Sequence, residues 1–353
     1  MAISFEPRIQ KNRTLSFCLP IIAIVMTFLL SMILFYVLGK EPWATAKAIF
    51  IAPFFDGYSR PEIFVKAAPL LIIAIGLSIG FRANIWNIGA EGQFIMGGIG
   101  ATFVAMAFYP DGGPFLLPFM ALGGMFFGLL WALIPAILKV QFQTSEILVS
   151  LMLVYVADLI LFILVSGYLQ DPQGMGFPKS RSFQPDALLP IIWSGTRVHL
   201  GVIIALFVAI GAAVFMKYHR LGFDVVVSGL APRAAKYSGA NSKAVVIFSL
   251  CLGGALAGLA GMLEVSGPVG QLSESFGTGL GFTAIIVAFL GRLNPWAIIP
   301  AAIMIAVTYI GGETASTFMR LPAPAVLVIQ GMMLFLLLGV EVFGNYKLKW
   351  ERA

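Results

Sequence analysis

Inside an otherwise apolar run, Asn87-Ile88-Gly89-Ala90-Glu91-Gly92-Gln93 sets a carboxylate, two amides and two glycines within two helical turns. Burying a carboxylate in a bilayer costs about 2.5–3.5 kcal/mol on insertion scales, so Asn87, Glu91 and Gln93 need a reason to be there. They form either a polar lining for a translocation path or a polar knot tying helices together. Asp158 falls in the middle of the apolar run 146–167, where it is expected to face the protein interior and find a donor. Its role is either a place on the path or a buried structural hydrogen bond. Glu264, Glu313 and Glu341 lie at the ends of apolar runs and read as interfacial. No Ser/His/Asp or Cys/His grouping, no metal-ligand spacing and no P-loop motif occurs, so neither bond-cutting chemistry nor a bound cofactor is expected of this chain. Cys18 and Cys251 fall at or within apolar runs, and His199 and His219 flank one and read as interfacial.

The elements that hold these residues must use lipid as solvent. Of 353 residues 59% are hydrophobic and 11% charged, with a mean hydropathy of +0.96. Soluble domains carry about 25% charged residues. The net charge of +6 then says little about nucleic acid, because basic residues of membrane proteins gather on the cytoplasmic side. Ten apolar runs follow one another: 19–39, 67–81, 85–108, 115–138, 146–167, 198–216, 244–265, 277–291, 296–311 and 325–343. Ser145 is placed to cap the fifth, with Glu146 suited to the helix dipole. The stretch from Lys40 to Lys66 reads as a loop. Residues 254–261, with glycines at 254, 258 and 261, suit close helix packing in lipid. The fold expected is an all-α polytopic membrane protein of about ten transmembrane helices. With the N-terminus inside, fourteen of the 22 Lys/Arg fall on the cytoplasmic side, which gives N-in/C-in.

Two further patterns are local. Arg82-x-Asn84-x-Trp86 recurs as Arg292-x-Asn294-x-Trp296, each at a break between short apolar runs, so Asn84, Trp86 and Asn294 join the candidates for the path. The longest polar interruption of the second half is 217–243, with five Lys/Arg on the cytoplasmic side. Within it Pro232 opens and Gly239 closes a helix of about two turns, with Ala234 and Ala235 as a small-residue face. Such a short helix is marginal alone and needs something to pack against. It is either a helical turn of a surface loop or a docking helix for a partner protein.

Three stretches together resemble a known family. Gly229-Leu-Ala-Pro232-Arg233-Ala234-Ala235-Lys-Tyr237-Ser-Gly239 resembles the coupling loop of ABC importer permeases of the branched-chain amino acid and ribose type. Residues 81–94 and 279–295 are similar to motifs of that family's nucleoside and simple-sugar branch. One departure is Ala231, where the family's loop usually has Asn before Pro, which puts the capping of the loop helix in doubt. From the apolar runs and the Lys/Arg count, together with this resemblance, the expected organisation is a cytoplasmic N-terminal tail (1–18), a transmembrane permease domain (19–343, with its coupling loop at 217–243) and a cytoplasmic C-terminal tail (344–353). The resemblance implies a cytoplasmic ABC ATPase as the partner that uses ATP, a second permease subunit, identical or related, and an extracytoplasmic substrate-binding protein. The expected place is the bacterial inner membrane, and the expected cargo a nucleoside or simple sugar. The alternatives are a secondary transporter driven by an ion gradient, with Glu91 and Asp158 as its ion sites, and a purely structural subunit of a larger complex.

Overall fold

The computed structural model describes residues 2–7, 13–277, 279–322 and 324–351, with side chains from residue 18 to residue 340 apart from 278 and 323. Fourteen α-helices are seen among them: α1 (Arg13–Val37), α2 (Pro42–Phe50), α3 (Ala52–Phe55), α4 (Ser59–Arg82), α5 (Ala90–Ala107), α6 (Leu116–Phe142), α7 (Glu146–Val165), α8 (Gly201–Tyr218), α9 (Arg220–Leu230), α10 (Pro232–Tyr237), α11 (Ser242–Glu264), α12 (Leu280–Leu290), α13 (Pro295–Met319) and α14 (Pro324–Asn345). The two ends add strands β1 (Ala2–Pro7) and β2 (Tyr346–Glu351), paired antiparallel with Ala2 opposite Glu351 and Pro7 opposite Tyr346. Among the described residues seven helices are long and apolar enough to cross a membrane: those at 18–37, 59–82, 116–142, 146–165, 201–218, 242–269 and 295–319. The other three expected runs are also helical, as α5, α12 and α14. Glu91 and Gln93 make the first of these polar, and α12 is short. The side chain of Glu341 lies outside the described residues.

The chain forms two compact units, residues 1–60 with 307–353, and residues 61–306. The first has a core of Phe35 from α1, Ala46 and Ile49 from α2, Ala315 from α13, Leu321, and Ala325 and Ile329 from α14. Gly311 lets the backbone of α13 meet that of α2 at Ile49. The second unit is built around α5. Its residues 90–102 are all buried, so the helix is enclosed on every side except in its last turn. Each neighbour reaches it at a different glycine: α7 through Val154 at Gly92, α11 through Gly258 at Gly97, and α6 through Phe127 at Gly100. The glycines of α11 complete the packing against Gly124 and Gly128 of α6 and Phe94 of α5. Without a hydrophobic drive between helices in lipid, such close backbone approach is what holds them together. The peripheral helices α6, α7 and α8 turn rows of Phe, Leu, Ile and Met outward, Phe126, Leu159 and Phe207 among them.

The reading of 40–66 as a loop is corrected. It holds α2, α3 and the first two turns of α4. Asp56 starts α4 by accepting from the hydroxyl and the backbone N–H of Ser59 (2.6 and 2.8 Å), which hold its carboxyl below the usual carboxylate range. The polar residues that disguised this helix are matched elsewhere: Lys66 pairs with Glu264 at 3.3 Å and Glu62 with Arg197 at 3.6 Å.

Candidate functional site

Asn87 and Gln93 satisfy each other. The Asn87 amide donates to Gln93 Oε1 (2.8 Å), the Gln93 amide returns a bond to Asn87 Oδ1 (3.2 Å), and the same oxygen accepts from the Gly89 N–H (3.1 Å). Both side chains are buried. The clasp closes the end of the loop between α4 and α5 next to the first turn of α5.

Glu91 is buried and reaches out of α5 to the start of another helix. Its two oxygens accept from the backbone N–H groups of Gly279 (2.7 Å) and Gly281, the first turn of α12. A helix start carries unpaired N–H groups and a partial positive charge. α12 has 11 residues, about 16 Å of helix, too short to carry both ends to water. Its N-terminus therefore needs an acceptor within the protein, and Glu91 supplies a carboxylate to two donors at once. Gly281 permits this, since a side chain there would run into the backbone of Glu91 and Ala90. These bonds tie α5 to α12. They also leave Glu91 with its oxygens engaged by amides rather than open to an ion.

Asp158 differs from expectation. It is exposed, and among the described residues no donor lies within bonding distance. It sits at the edge of the buried stripe of α7 (Ser150, Val154, Ala157, Leu161), with Oδ1 only 3.0 Å from where a side chain at Gly277 would begin. Periodicity along one helix shows that a residue is near mid-span; it does not show what faces it. Glu91 and Asp158 thus flank the entry into α12 from two sides.

The repeated Arg-x-Asn-x-Trp pattern has a structural echo. Asn84 takes a left-handed conformation (φ 59°), and its Oδ1 accepts from the Trp86 indole (3.3 Å). Arg292 and Leu293 are also left-handed (φ 51° and 57°), and Asn294 Oδ1 accepts from the backbone of Trp296 (3.2 Å). Asn84 and Asn294 are both exposed. The first break meets the end of α12 through rings: Trp86 and Phe81 stack on Phe289, with centroids 5.7 and 5.2 Å apart.

The polar segment 217–243 folds as two helices where one was expected. α10 occupies the place given to the short helix and ends before Gly239 (φ 84°). Ala231, its N-cap, offers no side-chain acceptor; its N–H instead closes α9 on Val227 (2.8 Å). The small-residue face is divided. Ala235 is fully buried against the chain itself, while Ala234, Pro232, Arg233 and Tyr237 are exposed, Tyr237 at 95%. Sequence reasoning missed α9. It is anchored by Val225 in a core with Ile79, Ala83, Ile85, Ala136, Val245 and Leu250. Near its end Gly229 touches the backbone of Arg82 and Ala83 with no room for a side chain. The Leu-Gly-Phe-Asp-Val-Val-Val run could have signalled an amphipathic helix.

On the opposite side the segment 168–200 is strapped to the residues after α11. Ser180 exchanges bonds with Leu272 (2.7 and 2.9 Å), and Leu189 N–H donates to Ser266 (2.9 Å). His199, expected at the edge of a span, lies two residues before α8 and is buried within the protein: it is 2% exposed and lies over Gly267, with Nδ1 accepting from Gly201 N–H (3.1 Å). Burial, and then the Arg197 charge, push its pKa down to about 4. An unfolded histidine titrates near 6.5, so the stability this neutral ring contributes is complete above that pH and is lost as pH falls toward 4. Limited proteolysis of the strap should accelerate between pH 6.5 and 4, and His199→Gln should flatten that dependence.

Comparison with known proteins agrees with this architecture. The profile of the family described as branched-chain amino acid transport system / permease component matches residues 60–338. A glucose ABC transporter permease protein of Haloferax volcanii is 30% identical, over 98% of this chain and 93% of its own. A nucleoside ABC transporter permease protein of Lactococcus lactis is 28% identical over 92% of each chain. A guanosine ABC transporter permease protein of Bacillus subtilis is 29% identical over 90% of this chain and 91% of its own. With apolar membrane-crossing helices arranged around a glycine-laced hub, the chain belongs to this family and is a multi-pass permease subunit of an ABC importer in the cytoplasmic membrane.

Proposed function

We propose that the chain carries a neutral nucleoside or simple sugar through ten crossings with both ends in the cytoplasm, driven by an ATPase that docks on α10. The antiparallel pairing of β1 with β2 supports an even number of crossings. The relatives named for glucose, nucleosides and guanosine support the cargo. So does the start of α12: an anionic substrate group would seek such a helix start, and here Glu91 already fills it. The path would run past Asp158, whose exposed carboxylate can accept from hydroxyl groups. Asn87, Gln93 and Glu91 would hold the wall in shape, and Asn84, Trp86 and Asn294 would sit at its cytoplasmic end. Substrate would arrive from a binding protein outside, and a second permease subunit would complete the path.

The observation that carries coupling is α10 itself, held by buried Ala235 and presenting Arg233 and Tyr237 outward. ATP-driven closure of the ATPase would push this helix, and α9 would pass the push to the turn after α4. Arg233→Glu together with Tyr237→Ala should cut ATPase co-purification and uptake at least about fivefold, while the chain still inserts in membranes. Truncating an aromatic or Arg hot spot of an interface costs about 2 kcal/mol or more. Wild-type recovery of the ATPase with the double variant would overturn the docking role.

A further inference from the structure

A second polar surface lies in the other unit, on the outward half of α13. Tyr309, Glu313, Ser316 and Thr317 fall on one face of the helix, and with Val326 and Leu327 of α14 they line a cleft of about 360 Å³. Gly312 forms its floor, because any side chain there would strike Val326. Glu313 is six residues from the end of α13, about 9 Å below it, and it is exposed to the cleft rather than buried. A carboxylate at this depth needs water, a donor or a ligand. The Thr317 hydroxyl donates to the Glu313 carbonyl (2.9 Å), which leaves its oxygen free to accept.

We infer that this cleft is a binding subsite for a neutral, hydroxyl-bearing ring such as a sugar or the ribose of a nucleoside. The proposal rests on the substrate class given above and adds a site to it. The volume falls in the range of small-ligand pockets, and the lining has their usual make-up, apolar and aromatic walls with a few convergent polar groups. Tyr309 offers a ring face, Val326 and Leu327 an apolar wall, and Ser316 and Thr317 hydroxyl partners. A carboxylate only accepts hydrogen bonds, so Glu313 favours ligand hydroxyls and repels phosphate or carboxylate. That same charge opposes an anionic lipid headgroup as the occupant.

The test uses the assembled importer in membrane vesicles, with Cys18→Ser and Cys251→Ser as background and Ser316→Cys as a reporter. A membrane-impermeant maleimide should label the reporter. Guanosine or glucose, whichever the vesicles take up saturably, should slow the labelling at least about threefold, and guanosine monophosphate at equal concentration should not. Separately, Glu313→Gln should raise KM for uptake at least about fivefold with little change in maximal rate, and Glu313→Asp should restore part of it. Saturable uptake without protection, equal protection by the monophosphate, or no labelling at all would each overturn the subsite and leave the transport reading standing. Absence of saturable uptake of either neutral compound by the unmodified importer would overturn the substrate reading itself, and the subsite with it.

Discussion

Glu91→Ala is expected to lower uptake to below about a tenth while the ATPase still co-purifies with the membrane complex. The Glu91 oxygens are the acceptors for Gly279 and Gly281, and both donors belong to a helix start that lies inside the protein. Leaving a buried donor without its partner costs about 1–3 kcal/mol. Two such donors sum to about 2–6 kcal/mol, above the roughly 1.4 kcal/mol that corresponds to a tenfold change. The loss falls on the start of α12, beside Asp158, and not on α10, so the docking proposed for α10 and basal ATP hydrolysis should persist. Glu91→Gln separates charge from shape. Its amide keeps one acceptor but turns a donor toward one of the two N–H groups, so its uptake should lie between Ala and wild type. If Glu91→Ala transports normally, the cap is ornamental and the wall has another support. If it fails to reach the membrane at all, Glu91 is needed for folding rather than for transport.

The lipid-solvated class, the helical runs and the place of α10 were legible because each depends on local pattern: apolar length, a Pro start and a Gly stop. The ends of the helices were less legible. α4 begins about two turns before its apolar run because Glu62 and Lys66 find partners at Arg197 and Glu264, far away in the chain. α5 was read as starting at residue 85, yet its first turn waits until Ala90, after the Asn87–Gln93 clasp has closed the loop. Among candidate site residues, polarity at membrane depth picked out Glu91 and Asp158 equally. Only the fold separates them, one bonded to the start of α12 and the other exposed, with no donor within reach among the described residues. Ala235 shows the same limit: composition marks a small residue, while the packing decides that it faces its own chain and that Tyr237 faces outward.

Gly229→Val should break the link between ATP hydrolysis and transport, with uptake reduced more than about tenfold and hydrolysis retained. Gly229 is the next-to-last residue of α9, and its missing side chain is what lets that helix lie on the backbone of Arg82 and Ala83. Backbone cannot move aside as a flexible side chain can, so a branched residue must push α9 off the turn. Overpacking of this kind costs about 1–3 kcal/mol, and more important, it opens a gap in a continuous line of contacts. From α10 that line runs through α9 to the end of α4, and from Phe81 and Trp86 to Phe289 of α12, whose other end Glu91 holds. A motion imposed on α10 can reach α12 along it only while α9 remains seated. Gly229→Ala should give a smaller loss than Gly229→Val, and the order should follow side-chain volume. Normal coupling in Gly229→Val would mean that force reaches the crossings by another route, through Asn241 and α11, whose start that residue caps.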